Sequence, residues 1–366
     1  MREGGMTPTG RILIVTDAWR PQVNGVVRTL SKLAEMLAGL GIEAEFLTPE
    51  RFRSMPMPFY PDIRLALAMP GQVARAIEAA RPDFIHIATE GPLGQLARRA
   101  CLKRGLAFTT SYHTKFPEYL GARLPIPEDW TYGKLRAFHN SGHGVMVATA
   151  SLGEDLARRG FRNIRQWTRG VDAELFNPGR RGDLGLAGPV FLSVGRVAVE
   201  KNLPAFLDLD LPGSKVVVGD GPELAALKKR YPAVHFLGTR TGEELARIYA
   251  SADVFVFPSL TDTFGNVLIE AMASGCPVAA YPVTGPIDIV GAGGVVAQDL
   301  REAALGALDI PREDARANAL EFSWPACTRQ FLGHLRPVGD GSAAGAARDM
   351  ARAAPPIRTF SRQGRP

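Results

Sequence analysis

Short apolar runs rich in Val, Ile and Phe alternate with stretches of helical period along most of the chain, and the alternation occurs twice. In the first half the strand-like runs are Arg11 to Thr16, Ala44 to Thr48, Phe84 to Ala88, Ala107 to Tyr112 and Val145 to Thr149. Amphipathic segments such as Val26 to Ala38 and Leu93 to Arg104 separate them. The second half repeats the scheme with Val190 to Val194, Lys215 to Val218, Val234 to Leu237, Asp253 to Phe257 and Val278 to Ala280. Its helical segments are Glu223 to Arg230, Glu243 to Ser251 and Val267 to Ala273. Strands apolar at every position are covered on both faces, and their alternation with helices is the signature of parallel βαβ units. The pattern therefore predicts an α/β chain with two doubly wound parallel sheets. Between them, Arg169 to Gly188 crowds Gly, Pro, Asp and Arg without periodicity and reads as a linker. Beyond Arg336 the chain turns to Ala, Gly, Arg, Pro and Ser with few large apolar residues, which reads as a disordered basic tail over 336–366.

Open sheets of this kind bind ligands beyond the carboxyl ends of their strands, so chemistry is expected at strand-to-helix junctions. The richest junction runs from Pro258 through Thr261-Asp262-Thr263-Phe264-Gly265-Asn266-Val267 to Glu270. Gly265 permits close backbone approach, and the new helix start favours an anion through its unpaired donors and dipole. Asp262 and Glu270 are eight residues apart and suit sugar or ribose hydroxyls; the alternative is a capping Asp262 and a solvated Glu270. Arg196 ends one strand run and Lys201 follows five residues later, so a planar fork and a point charge are offered to one diphosphate. Asn24-Gly25 after the first strand forms a second junction, which reads equally as a plain turn, and His113 follows a third.

Several signals fail. The chain lacks GxxxxGK[ST], and Gly219-Asp220-Gly221 matches half of GxGxxG, with Leu224 where the last glycine belongs, so a nicotinamide cofactor is poorly supported. Asp208-Leu209-Asp210 has a metal-binding form but falls between a helix and the start of a strand, the wrong edge of the sheet.

Composition changes this picture in two ways. With 366 residues, 46% hydrophobic and 22% charged, two domains of ordinary size are favoured over one core. Cys101, Cys276 and Cys327 are odd in number and scattered, which signals neither a disulfide framework nor a zinc site and fits a reduced, cytoplasmic setting. No apolar run is long enough to span a bilayer, and MREGGMTPTG has no apolar core of a signal peptide. The net charge of +6 is uneven: residues 1–171 hold 23 Lys+Arg against 15 Asp+Glu (+8), residues 172–335 hold 14 against 20 (−6), and residues 336–366 hold 6 against 2 (+4). A basic half facing an anionic surface is one reading and a bystander charge bias is the other.

The series PQVNGVV, SYHT, SVGR with EKN, VGDGP and PSLTDTFGNVLIEAMASGCPV resembles, in this order and over roughly residues 11–335, the family 4 retaining glycosyltransferases of GT-B fold. The resemblance implies two Rossmann-like domains facing across a cleft. The acceptor side would take residues 1–171, with a last helix over 322–335 crossing back to it, and the nucleotide-sugar side residues 172–321. It implies a nucleotide-sugar donor, no metal and no separate cofactor. Carried over by position, Arg196 and Lys201 hold the diphosphate and Gly25 approaches it from the first domain. Backbone around Phe264, Gly265, Asn266 and Val267 binds phosphate and sugar, Glu270 the ribose, Asp262 the transferred sugar, and His113 lies beside that sugar. The family's E-x7-E appears here as D-x7-E, which bears on the choice of sugar more than on the reaction. Within the family, DTFGNV and TGPID look closest to bacterial enzymes that glycosylate diacylglycerol-type lipids or mannosylate related glycolipids. That implies transfer of a hexose or hexuronic acid, from a UDP-sugar ahead of GDP-mannose, by a protein peripheral to the inner face of the cytoplasmic membrane. No nucleic acid partner is expected. A sugar-nucleotide epimerase of the same fold, or an NAD-binding dehydrogenase or sensor, are the competing readings.

Overall fold

A computed structural model describes residues 10–20, 22, 24–57, 60–115, 117–118 and 127–339, so most of the predicted tail lies outside the described residues. The described chain forms two parallel sheets and one antiparallel hairpin. The first sheet has the order β2-β1-β5-β6-β7-β8, from β1 (Arg11–Val15), β2 (Glu43–Leu47), β5 (Phe84–Ile87), β6 (Thr109–Tyr112), β7 (Val145–Val147) and β8 (Ile164–Gln166). The second has the order β11-β10-β9-β12-β13-β14, from β9 (Val190–Val194), β10 (Ser214–Val218), β11 (His235–Gly238), β12 (Val254–Phe257), β13 (Val278–Ala280) and β14 (Gly294–Val296). Both are the doubly wound, Rossmann-like arrangement the apolar runs predicted.

The second sheet shows why its strands are apolar throughout. Phe255 and Phe257 of β12 point into a core with Leu192, Val216, Tyr249 and Phe176, while Val254 and Val256 point into the opposite core with Phe191, Val217 and Phe206. Alternate residues of one strand thus face two different helix layers, and polar residues fit neither side. Burying each such side chain contributes roughly 1.5–3 kcal/mol.

The chain packs into two compact units. One takes the described residues up to Ser111, Ser141–Val145 and those from Pro325 on; the other takes Tyr112–Asn140 and Met146–Trp324. In the first, the helix Trp324–His334 sets Phe331 edge-on against His86 of β5, their ring centroids 5.0 Å apart. His86 is fully buried yet satisfied, 2.9 Å from Thr109 Oγ1 and 2.6 Å from Ser111 Oγ.

Four strands escaped the sequence reading. β8 and β14 are three residues each, too short to show a period. The chain between β2 and the helix Pro70–Ala80 leaves the sheet as a hairpin of β3 (Ser54–Met57) and β4 (Tyr60–Ala66), concealed by its prolines. The linker expectation is corrected as well. Within Arg169–Gly188, Arg169, Val171 and Phe176 are buried, and the Val171 amide donates to the Phe322 carbonyl at 2.9 Å. A Cβ on Gly170 would lie 2.5 Å from the Trp324 amide nitrogen, so this stretch is aperiodic because it is closely packed rather than because it is loose.

Candidate active site

In the second sheet the chain moves from β9 outward to β10 and β11, then returns to β12 on the other side of β9. The loops leaving β9 and β12 therefore diverge, and the crevice at that reversal is where open α/β sheets take ligands. The loop after β9 carries Arg196, exposed, and then the single turn Val199–Lys201. The loop after β12 carries Asp262 and ends at Gly265. Two hydrogen bonds sew the loops together: Asn202 Nδ2 donates to the Pro258 carbonyl (3.1 Å) and the buried Ser259 hydroxyl to the Glu200 carbonyl (3.3 Å). Asn202 sits at φ 51°, a left-handed position asparagine tolerates, and so turns the chain from Lys201 into the helix Leu203–Leu207.

This sewing places Lys201 Nζ 2.7 and 2.8 Å from the two oxygens of Asp262, with the side chains only 24% and 18% exposed. Burial by itself pushes the Asp262 carboxyl up; the Lys201 ammonium, through its charge and its hydrogen bonds, outweighs it and holds the group below its ordinary value. The alternative of a helix-capping Asp262 is corrected by this pairing. The cap position of the helix Asn266–Ala273 belongs to Gly265, at φ 88°. The Phe264 side chain is 4% exposed and packs edge-on to Phe322, so only its backbone is available to a ligand. The amides of Asn266 and Val267, in the first helical turn, have no carbonyl a turn earlier to bond to. Glu270, one turn in, is 8% exposed and accepts a hydrogen bond from Tyr249 at 3.2 Å, which corrects the solvated alternative.

His113 follows β6 in the same compact unit and meets this loop directly: the Thr263 hydroxyl donates to the His113 carbonyl at 2.7 Å. Its ring lies edge-on to Trp167, and its Nδ1 is 3.1 Å from Arg169 Nη2. Arg169 is 4% exposed and donates to the Trp167 and Thr168 carbonyls at 2.6 and 3.1 Å, with its guanidinium 4.5 Å from the Trp167 ring centroid. A guanidinium carries five donors and no acceptor, so Nδ1 must accept and the neutral ring carries its proton on Nε2. Imidazole ¹⁵N spectra are expected to show Nδ1 unprotonated in the neutral ring; Arg169→Met should mix the tautomers, and unchanged nitrogen shifts in that variant would contradict the assignment. Gly25 belongs to the other unit, where it opens the helix Gly25–Gly39 and Asn24 caps the amides of Val26 and Val27 at 3.0 Å each.

Arg196, Lys201, Asp262, Phe264–Val267, Glu270 and His113 thus all fall in one unit, where hydrogen bonds tie Lys201 to Asp262 and Thr263 to His113. Sequence reasoning missed Arg169, hidden in the supposed linker, and gave no role to Ser259 and Thr263 within the junction it singled out. It also missed Asp288 of TGPID, which accepts from the Ser151 amide at 3.0 Å, and Thr284, which accepts from Lys115 Nζ at 3.2 Å. Asp208 is paired at the N-terminal edge of β10 with Tyr231 (2.6 Å) and Arg230 (3.3 Å), where a structural role suffices. Among the described residues no group of three or more His, Cys, Asp or Glu is placed to hold a metal ion, and no helix is long and apolar enough to cross a membrane.

Two doubly wound parallel sheets with this junction define a glycosyltransferase of GT-B fold. Residues 23–175 match the family model described as Glycosyltransferase Family 4, and residues 188–309 that described as Glycosyl transferases group 1. The chain belongs to this family. It is 30% identical to a GDP-mannose-dependent alpha-mannosyltransferase of Mycobacterium tuberculosis, over 90% of this chain and 97% of that one. It is 33% identical to the sulfoquinovosyl transferase SQD2 of Arabidopsis thaliana, over 73% of this chain and 58% of that one. An alpha-monoglucosyldiacylglycerol synthase of Acholeplasma laidlawii is 25% identical over 73% of this chain and 79% of its own. Among solved structures, sucrose-phosphate synthase of Thermosynechococcus elongatus shares the fold with a TM-score of 0.68, 21% identity, and 88% and 97% of the two chains covered. A transferase that uses nucleotide sugars is the activity these likenesses support, and the epimerase and dehydrogenase readings are not favoured.

Proposed function

We propose that this chain transfers a hexose from a nucleoside diphosphate sugar, with retention and without a metal, to a hydroxyl of a diacylglycerol-type lipid at the inner face of the cytoplasmic membrane. Residues 172–321 would take the donor and residues 1–171, with the helix over 322–335, the acceptor. The observation that supports the reading is the pairing of Lys201 with Asp262, in the loop that leads into the Gly265 helix start, beside the strand-end loop that carries Arg196. In the step proposed, the bond from the anomeric carbon to the diphosphate oxygen breaks with its electron pair leaving on the phosphate. The acceptor oxygen bonds to the same face of that carbon, and its proton passes to the departing phosphate oxygen. Arg196 and Lys201 offset the charge growing on the diphosphate, in place of a metal. Glu270 would accept from the ribose hydroxyls. Asp262 would orient the sugar, and His113 would donate from Nε2 to a sugar oxygen rather than take the acceptor's proton.

The lipid acceptor is supported by the glucosylated diacylglycerol in the name of the A. laidlawii relative and by the +8 charge of residues 1–171, which an anionic leaflet attracts. The relatives' names divide on the donor between GDP-mannose and other sugars, so UDP-glucose, UDP-glucuronate, UDP-galactose and GDP-mannose are the arms of the first assay, each with and without diacylglycerol. Arg196→Ala is expected to lower kcat by about 10²–10³-fold with whichever donor is used. Near-normal turnover in that variant would remove the leaving-group assignment.

A further inference from the structure

The helix Asn266–Ala273 carries one charged residue, Glu270, among Leu268, Ile269, Ala271, Met272 and Ala273, which are all fully buried. A carboxylate in such company is costly unless its oxygens are bonded, so the groups that reach it bear on its purpose. One of them is Tyr249, on the helix Gly242–Ser251, whose hydroxyl donates to Glu270 Oε2 at 3.2 Å.

The phenol is held on every side. Tyr249 is fully buried; its ring meets Phe176 edge-on, with centroids 5.8 Å apart, and lies 5.7 Å from the Phe255 ring of β12. Arg316 fixes Phe176 in turn. Its guanidinium donates to the carbonyls of Phe176 and Ala173, and to that of Ala273 at the end of the helix that carries Glu270. The Ser274 hydroxyl bonds the Glu270 carbonyl at 3.0 Å. Donor and acceptor therefore share one packed frame, and the phenol approaches the carboxylate from a fixed direction.

Packing alone does not ask for this pair. Phenylalanine facing an aliphatic residue would fill similar space and leave no polar group to satisfy. The choice of a phenol is also informative. A phenol bonds one oxygen without neutralising the carboxylate, whose two oxygens accept at about four sites, so capacity remains for two further hydroxyl donors. Glutamate places its oxygens through a chain of rotatable bonds, and an unanchored Glu270 would have to be ordered anew each time a ligand bound.

We propose that Tyr249 is a positioning residue for nucleoside recognition: its phenol holds Glu270 in the rotamer that presents the carboxylate to the 2′ and 3′ hydroxyls of the donor's ribose. Tyr249, inside the core, touches no ligand itself. This rests on the reading of Glu270 as the ribose acceptor and adds the group that sets its direction.

The test is calorimetric titration of the full-length protein with UDP and GDP, and then with the 2′-deoxy and 3′-deoxy forms of whichever binds. The wild type is expected to bind the ribonucleotide at least about tenfold more tightly than one or both deoxy forms. Tyr249→Phe keeps the ring and loses the hydroxyl. It should bind the ribonucleotide about tenfold more weakly and the deoxy forms nearly as the wild type does, so the preference shrinks. In turnover with the matching sugar nucleotide its KM should rise by a similar factor, with kcat at saturating donor held within about twofold. A tyrosine that only fills the core would lower the melting temperature and leave the preference intact, and that result overturns the proposal, as does an equal loss for ribonucleotide and deoxynucleotide. Glu270→Ala separates the proposal from the reading beneath it. If that variant keeps the wild-type preference, Glu270 is not at the ribose and both fall. If it loses the preference while Tyr249→Phe keeps it, the role of Tyr249 alone falls. A wild type that binds neither UDP nor GDP, or that does not distinguish ribose from its deoxy forms, overturns both.

Discussion

Lys201→Ala is expected to lower kcat by about 10²–10³-fold and, separately, to destabilise the fold by about 2 kcal/mol. The first effect follows from removing a point charge beside a departing diphosphate. The second follows from what the structure adds. Lys201 is bonded to both oxygens of Asp262, and removing it leaves a mostly buried carboxylate without its cation. The two effects separate with pH. In the wild type Asp262 has a lowered folded pKa, so its stabilising contribution is complete above the unfolded carboxyl value of about 3.9 and is lost as pH falls through the folded value below it. In the variant burial is no longer offset by the cation and raises the folded pKa, so the destabilisation is full at neutral pH and is relieved on acidification. The gap in melting temperature between the two proteins should therefore narrow from pH 7 to pH 4. A gap that is constant across that range would mean the ion pair contributes nothing, and unimpaired turnover would mean the lysine is not at the leaving group. Asp262→Asn is the companion measurement, since it removes the buried charge while keeping the shape and should recover the stability lost with Lys201.

Gly219→Ala is expected to be the most damaging single methyl around the second sheet, costing about 4 kcal/mol. The residue has φ 139°, a conformation that side-chain-bearing residues rarely adopt, and a Cβ there would lie 1.8 Å from the Gly195 carbonyl oxygen. Two residues on, a Cβ at Gly221 would lie 2.3 Å from the Val197 carbonyl oxygen, so the VGDGP loop after β10 is pressed backbone to backbone against the loop that carries Arg196. The amides of Gly195 and Val197 donate to the carbonyls of Val218 and Asp220 at 3.0 and 2.9 Å, closing the contact. The variant should lower the chemical-denaturation midpoint and weaken nucleoside diphosphate binding together. Gly39→Ala provides the contrast, with nothing within 4 Å of the added carbon, and should leave both unchanged. A Gly219→Ala protein with wild-type stability would show that the two loops are free to separate. The two glycines that failed as a dinucleotide fingerprint thus have a packing role next to the site.

How much of this was legible beforehand depends on the range of the interaction. The apolar runs from Val190 to Val194 and Asp253 to Phe257 read as strands because a strand buried on both faces has to be apolar at each step, a condition written locally. The Gly265 helix start was legible for the same reason, since a glycine before an apolar helical period is a local event. Arg196 and Lys201 were placed by their strand end. The partner of Lys201 was not, because Asp262 lies 61 residues away and only the return of the chain to the far side of β9 brings the two loops together. Arg169 was read as linker because close packing against Trp167 and His113 leaves no period to detect. The hairpin after β2 was passed over because prolines argue against a strand unless it lies outside the main sheet, and position outside a sheet is a tertiary fact.

The order of hydrophobic and polar positions was sufficient to specify two doubly wound sheets, the junctions at their strand ends and, through its motifs, the glycosyltransferase family. Those properties depend on burial and backbone geometry within a few residues, which a linear chain records directly. Which charges neutralise each other and which nitrogen of His113 holds the proton were decided only by the folded chain. Each depends on groups brought within about 3 Å from distant positions, where neither partner's local sequence carries the other's address.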